Sequence, residues 1–344
     1  MSDAIPSKLE TVTAEPCLPG DKAAAEWHDF LVSSNNGTLF HNLHFLNYHP
    51  RDRFDIHNLI FRQDGNLIAL LPAAIVTEAN GSRLLKSPYG ASVGGLVLPA
   101  RQASATTLSI VTALKQYAVD LGLSAIEMIV GPNIYFKYPS DTAGFALAAS
   151  GFELRRRWLT YVNPLPSAPE KAINLIMNKR RRRYYAKSVG QGLETTEVGA
   201  ESLPEFHQLL TVNRAKRGAE PTHTLAELQG IFDLVPDQVR LFLCRRKCDL
   251  LAGSLIFELN DRIAYYMYLC HDEQFEHYRP AAFIVVSIAE YYIGRGFRYL
   301  DLGPTTFDDY TLHFNLARFK EELGAVGFCR DFWRWEAPTT YAGM

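Results

Sequence analysis

The chain has 344 residues, with 35 Lys and Arg against 37 Asp and Glu; the formal charge is −2 and the isoelectric point about 6.6, which excludes a protein coated in positive charge for gripping DNA. Its length predicts two domains, and 47% hydrophobic with 21% charged residues describe a globular rather than a disordered chain. The first twenty residues lack a charged-then-apolar leader pattern, and the longest apolar stretch, Ala281 to Ala289, is too short to span a bilayer. Cys17, Cys244, Cys248, Cys270 and Cys329 show no paired metal spacing. The expectation is a cytoplasmic protein with reduced thiols, no metal and no membrane span.

In chain order, residues 1–20 read as a loose polar arm. "FDIHNLIFRQDGNLIALLPAAIV" predicts two strands joined at Asp64-Gly65, with a second turn at Asn80-Gly81. "SPYGASVGGLVLP" is glycine-rich and irregular. Residues 101–121 have helical periodicity ending at Gly122, and "LSAIEMIVGP" is a strand broken by Gly-Pro. A short helix near 141–149 and a strand through "ELRRRWLTYVNPL" follow. "NPLPSAPE", residues 163–170, is the linker candidate. A helix over "NKRRRRYYAKSVGQG" and another near 201–216 precede three strands with turns at Lys247–Asp249 and Asn260-Asp261. Pro280 opens a helix, "FRYLDLGP" is a strand, 311–323 a helix and "VGFCRDFWRWE" a closing strand.

The halves echo each other. "YAVDLGLSAIEMIVGP" and "YYIGRGFRYLDLGP" both run helix, glycine, strand acid, Gly-Pro, with Glu127 and Asp301 each five residues after the glycine. Each follows a hairpin meander. The expectation is an α/β (α+β) chain with a mixed, largely antiparallel sheet flanked by helices, built twice: 1–20 arm, 21–165 first domain, 166–344 second domain carrying the chemistry.

Four features could carry that chemistry. Asp301 sits where Gly-Pro ends its strand ladder, at an opening where α/β sheets place ligands; a carboxylate there could orient an amine or take its proton, or merely cap a loop. Lys320 lies at the edge of the stripe Leu312, Leu316, Phe319, Leu323, where a lysine either snorkels to solvent or aims at a carbonyl or phosphate. Tyr266 and Tyr268 share one face of their strand by simple alternation, and His271 lies past its end. In the arginine run, Arg180 falls on the apolar ridge and needs an anionic partner. Arg181 and Arg182 fall away from it and read as solvated. Lys179, Arg183 and Lys187 form a separate row at i, i+4 spacing. There is no Walker A, G-x-S-x-G or H-E-x-x-H motif and no dinucleotide fingerprint.

Together "NKRRRRYYAKSVGQGL", the meander "RLFLCRRKCDLLAGSLIFELNDRIAYYMYL", "AEYYIGRGFRYLDLG" and "ARFKEELGA" resemble the FemAB-like branch of the GNAT acyltransferases, over roughly residues 37–330. "SPYGASVGG" and "GPNIYF" look like that family's substrate-side segments. The resemblance implies two tandem GNAT-like domains and transfer of an activated acyl group to an amine. Its Phe-Lys pair maps onto Phe319 and Lys320, with the lysine stabilising charge on the transferred acyl group or the tRNA end, and its strand acid maps onto Asp301. Arg180, Tyr89, Tyr266 and Tyr268 become substrate contacts, and Lys179, Arg183 and Lys187 contacts for donor phosphates. The sequence departs from many acetyltransferases in reading "HYRPAAFIV" where they carry the Arg/Gln-x-x-Gly-x-Gly/Ala loop that cradles coenzyme A. Aminoacyl-tRNA is therefore the preferred co-substrate, acyl-CoA or an acyl carrier protein the alternative, and a small-molecule or cell-wall or natural-product amine the acceptor. A non-catalytic GNAT pair is the competing, non-enzymatic reading.

Overall fold

A computed structural model describes residues 11–17, 20–50, 52–167, 179–306 and 310–338. The chain divides into two compact units, 1–157 with 329–344, and 158–328. The division falls inside one long strand, β8 (Glu153–Pro164), rather than in the proline-rich segment, whose residues 168–170 lie outside the described ones. The closing strand β14 (Val326–Glu336) returns most of its length to the first unit, so the second unit ends before the predicted 344.

In the first unit, β1 (Val12–Pro16), β3 (Leu59–Gln63) and β4 (Asn66–Leu71) form an antiparallel sheet. The arm expected over 1–20 therefore contains a strand, ladder-bonded to β3 from Val12↔Gln63 to Pro16↔Leu59. The β3–β4 hairpin turns on Asp64 and Gly65, both at positive φ (48° and 78°), the mirror-image turn that matches strand twist. The main sheet runs β2 (Asp55–Ile56), β5 (Ala74–Thr77), β6 (Arg83–Ser87), β7 (Ala125–Val130), β14. Only β6 and β7 are parallel. Their crossover is α3 (Ser104–Asp120), which buries Ile110, Val111, Leu114 and Ala118 against Ile126 and Met128. Gly122, at φ 64°, ends it as expected. Helices α1 (Asp21–Ser33), α2 (Leu43–Leu46) and α4 (Thr142–Ala149) complete this unit.

The second unit repeats the plan. Its strand order is β8, β13 (Tyr299–Pro304), β12 (Ile263–His271), β11 (Asp249–Glu258), β10 (Val239–Arg246), β9 (Glu194–Val198), and again only the pair around the crossover helix, β12–β13, is parallel. That crossover is α8 (Pro280–Gly294), with Pro280 in its first turn as predicted. It is apolar on nearly all sides because the sheet residues Phe242, Ile256 and Leu300 cover one face and α5 (Lys179–Gly190) covers part of another, with the Tyr185 ring stacked 5.2 Å from Phe283. Each fully buried Ile or Val of α8 contributes about 1.5–3 kcal/mol of transfer free energy. The sheet's other face carries α6 (Leu203–Ala215), and Gly253 is required there, since a Cβ would sit 2.7 Å from the Phe206 ring. Helix α7 (Leu225–Leu234) opens on a Thr224–Glu227 capping box. Helix α9 (Phe314–Glu322) follows β13.

Candidate active site in the second unit

The site begins where the parallel ladder stops. β12 and β13 pair at Ile263↔Tyr299, Ala264↔Leu300 and Tyr265↔Asp301, and no further. Six residues of β12, Tyr266 to His271, continue without that partner. On its other side β13 pairs with β8 up to Asp301↔Val162, then again only at Pro304↔Thr160. The intervening Leu302-Gly303 forms an irregularity with Gly303 at φ 80°, a conformation that favours glycine.

Asp301 and Lys320 fasten that irregularity from the two sides of one residue, Gly303, one at its N–H and the other at its carbonyl. Asp301 is fully buried, and its Oδ1 accepts from Thr160 Oγ1 at 2.6 Å and from the Gly303 N–H at 2.7 Å. Lys320 is 6% exposed, and its Nζ donates to the Gly303 carbonyl at 2.8 Å and the Pro304 carbonyl at 3.3 Å. Lys320 reaches them because α9 buries Ala317 and Lys320 on one side, so the edge of the apolar stripe faces inward. The C-terminal turn of α9 is pinned by Asn163 Nδ2 donating to Leu323 O at 3.0 Å. A fixed ammonium thus stands where the two parallel strands part. Removing the carboxylate should cost stability first: Asp301→Ala leaves the Thr160 hydroxyl and Gly303 N–H buried without this acceptor, at about 1–3 kcal/mol each. Urea unfolding is expected to show that loss; an unchanged midpoint would contradict the assignment.

The tyrosines separate. A bulge shifts the β11–β12 register between Leu255↔Tyr268 and Ile256↔Tyr266, so Met267 is the extra residue and alternation fails. Tyr266 therefore turns into the α8-side core, whereas Tyr268 turns to α6, its ring 6.5 Å from Phe206 and its hydroxyl 2.7 Å from His223 Nδ1. The expectation that both share one face is corrected by that one inserted residue. The Tyr266 hydroxyl is buried with no hydrogen-bond partner among the described residues, and burial pushes its phenol well above the usual range, so it is neutral. His271 ends β12 with Nε2 3.0 Å from a Glu276 carboxylate oxygen. Tyr89 lies in the first unit, 4% exposed, its ring 5.4 Å from Phe54 and its phenol pushed up to about 12 by burial.

On α5, Lys179, Arg183 and Lys187 are exposed, as their spacing predicts. The Arg180 side chain lies outside the described residues. Arg181, expected to be solvated, is instead only 16% exposed and ion-paired to Glu322 of α9. The helix packs by its sides onto both α8 and α9, so a residue off the first ridge still meets a neighbour. At the start of α8, the Arg279 guanidinium lies 3.7 Å from the Tyr184 ring centroid, and the space left among Arg181, Tyr184, Ser188, Arg279 and Phe283 is about 10 Å³. That is room for about one water. Pro280 has no N–H, and the Arg279 N–H is already given to Glu276 O at 2.8 Å, so two of the donors that a helix start ordinarily offers an anion are missing.

In the first unit, Glu127 occupies the position equivalent to Asp301 and pairs with Arg334 of β14, Nη1 to Oε1 2.8 Å. The cavity beside it, about 250 Å³, is lined by Lys86, Glu127, Arg155, Arg156, Phe332 and Arg334 among others. Among the described residues, no group of His, Cys, Asp and Glu could hold a metal, and no helix is long and apolar enough to cross a membrane.

Known proteins share this fold. Residues 177–321 match the acetyltransferase (GNAT) domain family. No curated protein is similar to the chain in sequence. Among solved structures, FemX superposes with a TM-score of 0.73 at 14% identity, covering 91% of this chain and 96% of its own. The L-PGS structure from Bacillus licheniformis gives 0.58 at 13% identity, covering 92% and 93%. A tandem GNAT protein from the clavulanic acid biosynthesis pathway gives 0.54 at 12% identity, covering 95% and 99%. Such identities speak to fold, and the fold is the doubled mixed sheet built above. The chain is an acyltransferase with the fold of the Fem and tandem-GNAT proteins, residues 177–321 of its second unit matching the acetyltransferase (GNAT) domain.

Proposed function

We propose that the second unit moves an aminoacyl group from aminoacyl-tRNA to the amine of a small molecule or of a cell-wall or natural-product precursor. The observation that carries the transfer step is the buried Lys320 ammonium, fixed by two carbonyls at the parting of β12 and β13. An ester carbonyl placed there meets a preorganised positive charge. The acceptor nitrogen forms its bond to the carbonyl carbon, negative charge grows on the carbonyl oxygen beside Lys320, and the bond to the ribose oxygen breaks. The proton lost by the amine ends on that ribose oxygen. Because the ester is already activated, alignment supplies much of the rate. Tyr266 offers a neutral hydroxyl for hydrogen bonding to donor or acceptor. Asp301 acts through Gly303, holding by its N–H the residue whose carbonyl Lys320 grips.

Two features of the donor side support tRNA over coenzyme A. The space at the start of α8 is filled by Arg279 on Tyr184, and the row Lys179, Arg183, Lys187 gives α5 an exposed basic edge suited to a phosphate chain. The acetyltransferase domain match favours the second reading, an acyl thioester on coenzyme A or on an acyl carrier protein. The two separate in one assay. A mixed pool of aminoacylated tRNA and, separately, acetyl-CoA are incubated with the protein and an equimolar mixture of amino acids, amino sugars and diamines. Amine-dependent loss of acyl groups from tRNA and not from acetyl-CoA is expected; the reverse overturns the donor assignment.

A further inference from the structure

The arginine that the sequence assigned to solvent does something more specific. Arg181 Nε donates to Glu322 Oε2 at 2.7 Å, Nη2 donates to the same oxygen, and the two side chains are 16% and 23% exposed. Its guanidinium also lies 5.7 Å from the Phe319 ring centroid. Glu322 accepts a further bond from Arg318 Nε at 3.3 Å. Burial pushes the Glu322 carboxyl up, but Arg181 and then Arg318 outweigh it and hold it below the usual range, so it is ionised in the folded protein. Arg181 thus contacts the residues immediately before Lys320 and two after it, on the helix whose inner face delivers that lysine to the β13 irregularity. Along α5, the exposed Lys179 and Arg183 flank it at two residues on either side, on a different face.

We propose that Arg181 is a positioning residue for acyl transfer. It acts through Glu322 and Phe319 to hold α9, and so the Lys320 ammonium, in place, and it ties that placement to the basic helix rather than touching donor phosphate itself. The inference rests on the reading of Lys320 given above. A partly buried pair of this kind, with one partner gone, leaves a charge without its counterpart, so each half should matter and removing both should cost little more than removing one.

The test uses the full chain with Arg181→Met, Glu322→Gln, the double variant, and the exchanged pair Arg181→Glu with Glu322→Arg. Two readouts are needed. The first does not depend on activity: brief labelling of lysine amines with acetic anhydride, read by mass spectrometry at Lys320, alongside Tm. Lys320 in the parent should label slowly, and about 10-fold or more faster in Arg181→Met at a temperature well below its Tm; the exchanged pair should restore slow labelling. The second is turnover of the aminoacyl-tRNA pool with the amine mixture. Here kcat should fall about 10- to 100-fold, as misplacement of a catalytic group by about an ångström would cause, with KM for tRNA unchanged. Unchanged Lys320 labelling, or a raised KM at unchanged kcat, overturns the proposal, the latter making Arg181 a donor contact. Altered labelling with full activity in both Arg181→Met and Lys320→Met would instead sink the role given to Lys320 and leave the positioning intact.

Discussion

Lys320→Met is expected to lower turnover by about two to three orders of magnitude while the protein stays folded. The magnitude is that of losing one preorganised donor at a developing oxyanion, about 3–4 kcal/mol in the barrier. The substitution keeps the volume of the lysine stem, so α9 retains its packing beside Ala317. What is lost is the pair of bonds to the Gly303 and Pro304 carbonyls, and a Tm lower by a few degrees should accompany that. Lys320→Arg is no rescue, because a planar fork cannot occupy the space of a compact ammonium between two carbonyls. The check is kcat of both variants at matched folded fractions, taken from circular dichroism melts. Full turnover in Lys320→Met would remove the cation from the chemistry and leave it as a strand-end clamp.

Neutralising the exposed edge of α5 should act on binding and leave the chemical step alone. With Lys179, Arg183 and Lys187 changed together to alanine, affinity for tRNA should fall and become less salt-sensitive. Three lost phosphate contacts reduce the slope of log K against log salt by about 2 to 3. The helix itself should persist, since these side chains point to solvent and alanine is the better helix former. Filter binding of uncharged tRNA across a salt series measures the slope. An unaltered slope would place the RNA elsewhere, whereas a collapse of the melt would show that the row is structural.

Much of this architecture was readable from the residues. Gly122 and Gly296 after their helices, Pro280 opening another, and the Asp64-Gly65 turn all stand where backbone sterics require them. The echo between Glu127 and Asp301 reported a real repetition of sheet order, including the single parallel pair in each unit. What failed was what depends on distant partners. The exchange of β14 into the first unit leaves no local mark, because "VGFCRDFWRWE" reads as a strand whichever sheet receives it. The Met267 bulge defeats simple alternation, which puts Tyr266 and Tyr268 on one face where the structure separates them. The capping box at Thr224 was legible as T-x-x-E and marks a helix that periodicity alone did not pick out. Arg181 was assigned to solvent because a ridge read from one helix cannot show a second helix packed on its flank.

On this reading the donor's acyl end lies where β12 and β13 part. Hydrogen exchange measured with and without an RNA minihelix bearing a non-hydrolysable 3′-amide-linked aminoacyl group tests it directly. Slowed exchange is expected at Tyr266–His271 and at the Gly303 and Thr305 amides, together with the first turns of α5. Protection confined to the first unit, or absent from both strand ends, would contradict it.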